Sequence, residues 1–294
     1  MAAPATPLAP ASAIGSSGPL AWRRLREHRA ALVSLVLLVL IALSCMIGPW
    51  LLEWSYDELD FEHVNAAPAP EAGHWFGTDS VGRDLLARTL HGGRISLLVG
   101  IVATLVSLSV GVVYGAVAGY AGGRVDNLMM RAVDILYALP FMFLVILLMV
   151  LFGRHLVLIF IAIGAINWLD MARIVRGQTL SLKHKEFVDA ARVGGVGPYG
   201  ILRRHIVPNL MGVVVVYVTL TIPQVILVES FLGFLGLGVQ EPSTSWGALV
   251  NDGAADMETA PWALAFPAGF LAVTLLCFNF LGDGLRDALD PKDR

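Results

Sequence analysis

Apolar runs of membrane-spanning length recur along this chain, and they constrain it more than any other feature. A helix crossing a bilayer needs about 20 mostly apolar residues. Six segments approach or meet that requirement, roughly 31–51, 95–118, 132–152, 156–174, 211–228 and 262–281. The composition agrees, with 56% apolar and only 15% charged residues, against about 25% charged in a soluble domain. In hydrocarbon every backbone polar group must be satisfied within the protein, so such runs become helices. The expected fold class is an all-α polytopic membrane protein with six transmembrane helices. The fourth run is the shortest, and it ends among Asn167 and Asp170.

Orientation follows from the placement of Lys and Arg, which concentrate on the cytoplasmic side. With the N-terminus inside, the inner segments hold Arg23, Arg24, Arg26 and Arg29; Arg124 and Arg131; seven residues between Arg173 and Arg204; and Arg286, Lys292 and Arg294. The outer segments hold only Arg83, Arg88, Arg94 and Arg154. Both termini are therefore expected in the cytoplasm. Residues 1–22, mostly Ala, Pro, Ser and Gly, cannot build a core and read as a disordered cytoplasmic tail. An anchor span follows at 23–52, then an acidic outer segment at 53–93, a transmembrane core at 94–282 and a cytoplasmic tail at 283–294. Asp79 or Ser80 is placed to cap the second helix.

Inside the spans the pattern points to packing and motion more than to chemistry. Gly111, Gly115 and Gly119 recur every fourth residue, so a neighbouring helix can approach that stripe closely. Pro140, Pro223 and Pro267 fall in or beside spans, where each removes a backbone donor and favours a kink, which makes them candidate gating kinks. Asp134, Asp170 and Glu229 lie near span ends and read as interfacial and solvated. Midplane acids, which an ion-coupled carrier would use, are nearly absent. No Ser/His/Asp set, no His/Cys group at metal-ligand spacing and no metal site stands out, so an enzyme is disfavoured. Cys45 and Cys277 lie in apolar runs and read as packing residues. A net charge of −3 argues against nucleic acid as a partner.

The loop at 183–209 is different. Glu186 to Val193 can form a helix, with Ala190 and Ala191 leaving one part of it bare. Gly194, Gly195 and Gly197 break that helix, and Pro198 can start another. Ile201, Leu202, His205 and Ile206 continue at helical spacing until Pro208. Local physics thus predicts two short helices lying across the inner membrane surface. An interfacial hairpin that only anchors the loop would look similar.

Here the residues resemble a known family. Asp189, Ala190, Ala191, Gly195 and Pro208 follow the E-A-A-x3-G-x9-I-x-L-P loop of bacterial ABC-importer permeases, with Asp for Glu, His205 for Ile and Val207 for Leu. His74-Trp-Phe-Gly-Thr-Asp-Ser-Val-Gly-Arg-Asp84 and Phe231-Leu-Gly-Phe-Leu-Gly-Leu-Gly-Val-Gln-Glu-Pro242 resemble segments of the C-type subunits in the oligopeptide/dipeptide permease family. Gly282-Asp-Gly-Leu-Arg-Asp-Ala-Leu-Asp-Pro291 is similar to their ending. The resemblance covers about 20–294. It implies a type I importer permease fold in a bacterial inner membrane, with the loop, Glu186 included, as an ATPase-coupling helix.

The chain lacks the Gly-Lys-Ser/Thr of a P-loop, since its lysines follow Leu182, His184 and Pro291. No cofactor is expected on this chain. The resemblance implies ATP and Mg on two partner ATPase subunits (D and F type), a second permease subunit (B type) and a periplasmic peptide-binding protein. Oligopeptides are the implied cargo. Dipeptides, glutathione or nickel fit the same pattern, and an ion-coupled secondary transporter is the alternative from a different class.

Overall fold

A computed structural model describes residues 27–153 and 156–289 of the protein. The 1–22 tail and Arg23, Arg24, Arg26, Arg154, Lys292 and Arg294, which enter the orientation argument, lie outside these residues. The described residues form helices α1 (Arg29–Ile47), α2 (Leu85–Ala121), α3 (Gly123–Tyr137), α4 (Phe141–Phe152), α5 (Leu156–Leu182), α6 (Glu186–Val193), α7 (Pro198–Ile201), α8 (Val207–Phe234), α9 (Trp246–Ala255) and α10 (Pro261–Leu289). Short 3-10 turns at Gly48–Trp50 and Pro70–Ala72 and a π-helical turn at Leu202–Ile206 complete the list.

Four continuous segments are long and apolar enough to cross a bilayer: Arg29–Trp50, Leu85–Ala121, Pro198–Phe234 and Pro261–Leu289. The third apolar run is not one straight helix. α3 and α4 qualify only together, and they bend by 74° at their junction. Pro140 sits at that junction as the residue preceding α4. It has no N–H to continue the α3 ladder, and it disfavours helical geometry at Leu139. α5 runs for 27 residues, about 40 Å at 1.5 Å per residue. It extends well beyond the apolar stretch read from sequence and carries Asp170, Arg173 and Arg176 in its second half.

Large apolar side chains cover the outside of these helices. Val33, Leu40, Val113, Phe143, Val150 and Val157 are each more than half exposed. A soluble monomer rarely shows contiguous apolar surface on this scale; lipid is the solvent it suits.

The centre of the bundle is the contact between α2 and α5. A Cβ on Gly111 would lie 2.5 Å from Met171 Cβ, and one on Gly119 would lie 2.8 Å from the Arg176 carbonyl oxygen. At Gly115 it would collide with the Ala172 carbonyl. The two backbones therefore touch along the glycine stripe, where dispersion contacts replace the hydrophobic effect that lipid does not supply. Gly122 and Gly123 end α2 in backbone of positive φ, +64° and +56°, which sends α3 off at an angle. There Arg176 of α5 holds the buried Asp126 of α3 through two hydrogen bonds of 2.5 and 2.7 Å. Pro223 and Pro267 lie inside α8 and α10, and both are buried.

At the other end of α2 the segments 48–84 and 235–260 fold into a cap. The residue that caps α2 is Asp84, whose carboxylate accepts from the Ala87 N–H at 2.7 Å. Asp79, one of the two caps expected from sequence, instead closes the preceding turn. It accepts from the Val81 and Arg83 N–H groups at 3.0 and 2.9 Å. Arg83 crosses to Glu241 at 2.7 Å, joining the two cap segments.

Glu229 is another correction. Position near a span end suggests a solvated carboxylate, yet Glu229 is fully buried. Ser96 of α2 donates to it at 2.9 Å, and the same hydroxyl accepts from the Trp246 N–H at 3.2 Å. The fold of the 235–260 segment back onto α2 buries it, which a hydropathy profile cannot register. Asp134 and Asp170 do remain exposed.

Replacing Gly115 with Leu places side-chain atoms inside the α2–α5 contact and should cost at least about 1–3 kcal/mol, the usual range for overpacking. Gly212→Ala, with open space around its Cβ position, should be near neutral. Thermal unfolding of the purified transporter in detergent checks this; equal melting temperatures for the two variants would contradict the packing described.

Candidate functional site

The loop at 183–209 folds as a compact unit. α6 ends in a Schellman cap: the Val196 N–H donates to the Ala191 carbonyl at 3.0 Å, and the Gly195 N–H to the Arg192 carbonyl at 3.0 Å. This geometry requires the left-handed residue that Gly195 supplies, with φ +80°. A Cβ there would meet nothing within 4 Å. Gly195 thus answers a backbone need, not a shortage of space.

One face of the unit is pinned to the bundle. Val188, Ile201, Ile206 and Leu210 are buried with Ala116, Met171, Val175 and Val214 in one apolar cluster. Lys183 donates to the Gly119 carbonyl at 2.9 Å, tying the loop to the end of the glycine stripe. The other face is open. Glu186, Asp189, Ala190, Gly194 and Gly195 are exposed, and Val193 and Tyr199 are 91% and 73% exposed. Asp189 pairs with Arg192 at 2.9 Å on this face.

Two details differ from the sequence reading. Ala190 and Ala191 do not share a role: Ala190 faces out, while Ala191 packs against the buried cluster. The one-residue step turns them about 100° apart on a helix. Pro208 does not end the second helix. α7, the π-helical turn and α8 run on from Pro198 to Phe234. Pro208 is tolerated because the preceding turn is wound wider, with the Val207 N–H reaching back to the Leu202 carbonyl. Asn209 donates its side-chain amide to the His205 carbonyl at 2.6 Å, satisfying an acceptor near the break. His205 is half-buried on this turn.

A groove of about 280 Å³ opens where α3 and α4 bend. Tyr137, Phe141, Ile166, Asn167, Asp170 and Gln224 are among its walls. It combines aliphatic and aromatic surface with two amides and a carboxylate. Tyr137 donates to Asp170 at 3.0 Å, and the Arg173 guanidinium lies 4.2 Å from the Tyr137 ring centre. Pro140 adjoins this groove in sequence, and Pro223 precedes Gln224. Sequence reasoning did not single out Asn167 and Gln224 as lining residues, since a lone amide in an apolar run carries no periodic signal.

Comparison with known proteins places these features in a family. Residues 111–294 match the family model described as "Binding-protein-dependent transport system inner membrane component". Residues 18–68 match "N-terminal TM domain of oligopeptide transport permease C". The chain belongs to the binding-protein-dependent transport system inner membrane components. Among its relatives is the oligopeptide transport system permease protein of Escherichia coli K12, 62% identical over 93% of this chain and 91% of the relative. The corresponding permease of Haemophilus influenzae is 59% identical over 93% and 88%. The dipeptide transport system permease of Bacillus subtilis is 48% identical over 93% and 85%. As an inner membrane component this chain is a multi-pass transport subunit, not an enzyme.

Gly195→Ala in this inner membrane component forces a left-handed alanine and should weaken the α6 cap by about 1 kcal/mol or more. Gly197→Ala, at φ −70°, should not. Hydrogen exchange of the 194–196 amides should accelerate several-fold in the first variant alone; equal exchange in both would refute the assigned role of Gly195.

Proposed function

We propose that the protein is one membrane-spanning half of an ATP-driven oligopeptide importer, and that α6 is where ATPase motion enters it. The observation that carries the second part is the two-sided construction of the 183–209 unit. Its buried face is continuous with α2, α5 and α8, while its exposed face offers apolar Val193 and Tyr199 beside Asp189. A force applied to a pinned element moves the bundle; the same force on a loose hairpin is absorbed by the hairpin.

In this reading the chain has six spans, α1, α2, bent α3–α4, α5, α8 and α10, with both termini in the cytoplasm. Two ATPase subunits, carrying ATP and Mg²⁺, dock on the inner face, one of them against α6. A second permease subunit closes the groove by the α3–α4 bend, which is open to one side. A periplasmic binding protein delivers peptide to the cap formed by 48–84 and 235–260. The groove suits a peptide: Asn167 and Gln224 can pair with backbone amides, and the apolar walls accept varied side chains. Closure of the ATPase pair pushes α6, and with it α5 and α8. The kinked junctions at Pro140 and Pro223 then let the groove face alternate sides of the membrane. The 62% and 59% identity to the oligopeptide permeases of Escherichia coli and Haemophilus influenzae supports oligopeptides as cargo.

Ala190→Glu and Val193→Glu alter the exposed face without touching the buried cluster. Both variants should assemble, yet lose at least tenfold of peptide-stimulated ATP hydrolysis in proteoliposomes. Wild-type stimulation in both would remove the docking role of α6. In cells lacking this subunit but retaining the binding protein, uptake of tetra- and pentapeptides should vanish and return with the wild-type chain. Undiminished uptake would remove the peptide assignment.

A further inference from the structure

Away from the groove and the 183–209 unit, the cap gathers three side chains whose ligand atoms converge. His63 Nδ1 and His74 Nε2 lie 2.8 and 3.2 Å from the same oxygen, Asp60 Oδ2. All three atoms fall within 4.8 Å of one another. The other nitrogen of His74, Nδ1, lies 3.0 Å from Asp84 Oδ2. His74 has no exposed surface, and its ring stacks on Trp54 at 4.8 Å.

Donor counting makes this arrangement unusual. A neutral imidazole has one N–H and one lone pair. Nδ1–H donated to Asp84 leaves the Nε2 lone pair aimed at a carboxylate oxygen, two acceptors facing one another in a buried place. A cation among Asp60, His63 and His74 resolves the conflict and uses all three lone pairs. We propose that Asp60, His63 and His74 form a divalent transition-metal site, zinc by its donor set, with Asp84 as the carboxylate that orients His74.

The geometry is near what zinc requires. Metal–ligand distances of about 2.0–2.2 Å imply ligand–ligand separations of about 3.3 Å in a tetrahedron. Two of the separations are 2.8 and 3.2 Å. Two imidazoles and one carboxylate suit zinc, whereas calcium and magnesium take all-oxygen shells. The supporting groups are already fixed. Asp84 is held by its capping bond to Ala87, and the Asp84–His74 pair is the carboxylate–histidine pairing that sets tautomer and ring orientation at metal sites. The Asp60 backbone is held by its N–H bond to the Gly82 carbonyl at 2.9 Å. His63, with 41% of its side chain exposed, leaves a path for metal entry and a fourth position for water. Bound there, the ion would tie the 60–63 segment to residue 74 and the start of α2. It would act as a staple for the cap, and the observations behind it do not depend on the peptide or ATPase assignments.

The test uses the complete transporter, stripped with chelator and titrated with Zn²⁺ alone. Wild type should bind one more zinc per complex than His63→Ala. Asp60→Asn should bind that zinc at least tenfold more weakly. Asp84→Asn keeps a good helix cap and should weaken binding about 10–100-fold through the outer shell. Co²⁺ should give the intense visible absorption of a tetrahedral site in wild type and not in His63→Ala, and Zn²⁺ should raise the melting temperature of wild type only. Failure of wild type to bind zinc above the His63→Ala level overturns the proposal. So does binding unchanged by both His63→Ala and Asp60→Asn. If stripped wild type shows both His74 nitrogens protonated and takes up no zinc, a proton fills the place assigned to the metal.

Discussion

The approach of α2 to α5 along Gly111, Gly115 and Gly119 is the contact on which the rest of the structure depends. Lipid removes the usual drive to bury apolar surface, so helix pairs hold by packing and by polar contacts between them. Backbone-to-backbone contact at Gly115 brings the second half of α5 beside α2. That places Arg176 against Asp126, Lys183 against the Gly119 carbonyl and Val188 in the cluster with Met171 and Val175. Position and rigidity of the 183–209 unit both follow from that seam.

The opposite end of α2 is organised by polar groups. Asp84, Ser96 and Glu229 make bonds that cross from one segment to another or start a helix, and Asp79 closes the turn before α2. Trp246 lies fully buried over Gly93, and its indole N–H donates to the Thr89 carbonyl at 3.0 Å. A Cβ on Gly93 would come within 2.5 Å of that ring. The cap is therefore a packed extension of the bundle. It offers a shaped surface to the proposed binding protein and metal ion alike.

The 183–209 unit joins these ideas to function. Its Schellman cap and its three buried aliphatic residues, Val188, Ile201 and Ile206, fix its shape from two directions. Its open face is left with few internal bonds, the Asp189–Arg192 pair being an exposed one of small energetic weight. A surface built this way loses little by exchanging water for a partner. In the proposed reading an ATPase is that partner, and the rigid attachment is what would let so small a docking surface move helices.

Much of this was legible in the chain itself. Apolar run length placed most of the helices, because 20 apolar residues in hydrocarbon have few other ways to satisfy their backbone. The Gly/Pro punctuation of the 183–209 loop gave the break at Gly194–Gly195 and the restart at Pro198, because φ preferences are local. The sequence also shows no P-loop, since none of its lysines follows a glycine. Tertiary structure decided the rest. Whether Pro140 kinks or divides a span depended on the turns around it, and Pro208 stayed inside a helix because the preceding turn widened. Ala190 and Ala191 differ only in which side of α6 meets the bundle. The burial of Glu229 depends on segments far apart in the chain arriving at one place, and the meeting of Asp60, His63, His74 and Asp84 on the 60–84 loop folding back on itself. Run length and local dihedral preference are properties of a segment; burial and convergence are properties of its neighbours, and only the folded bundle supplies those.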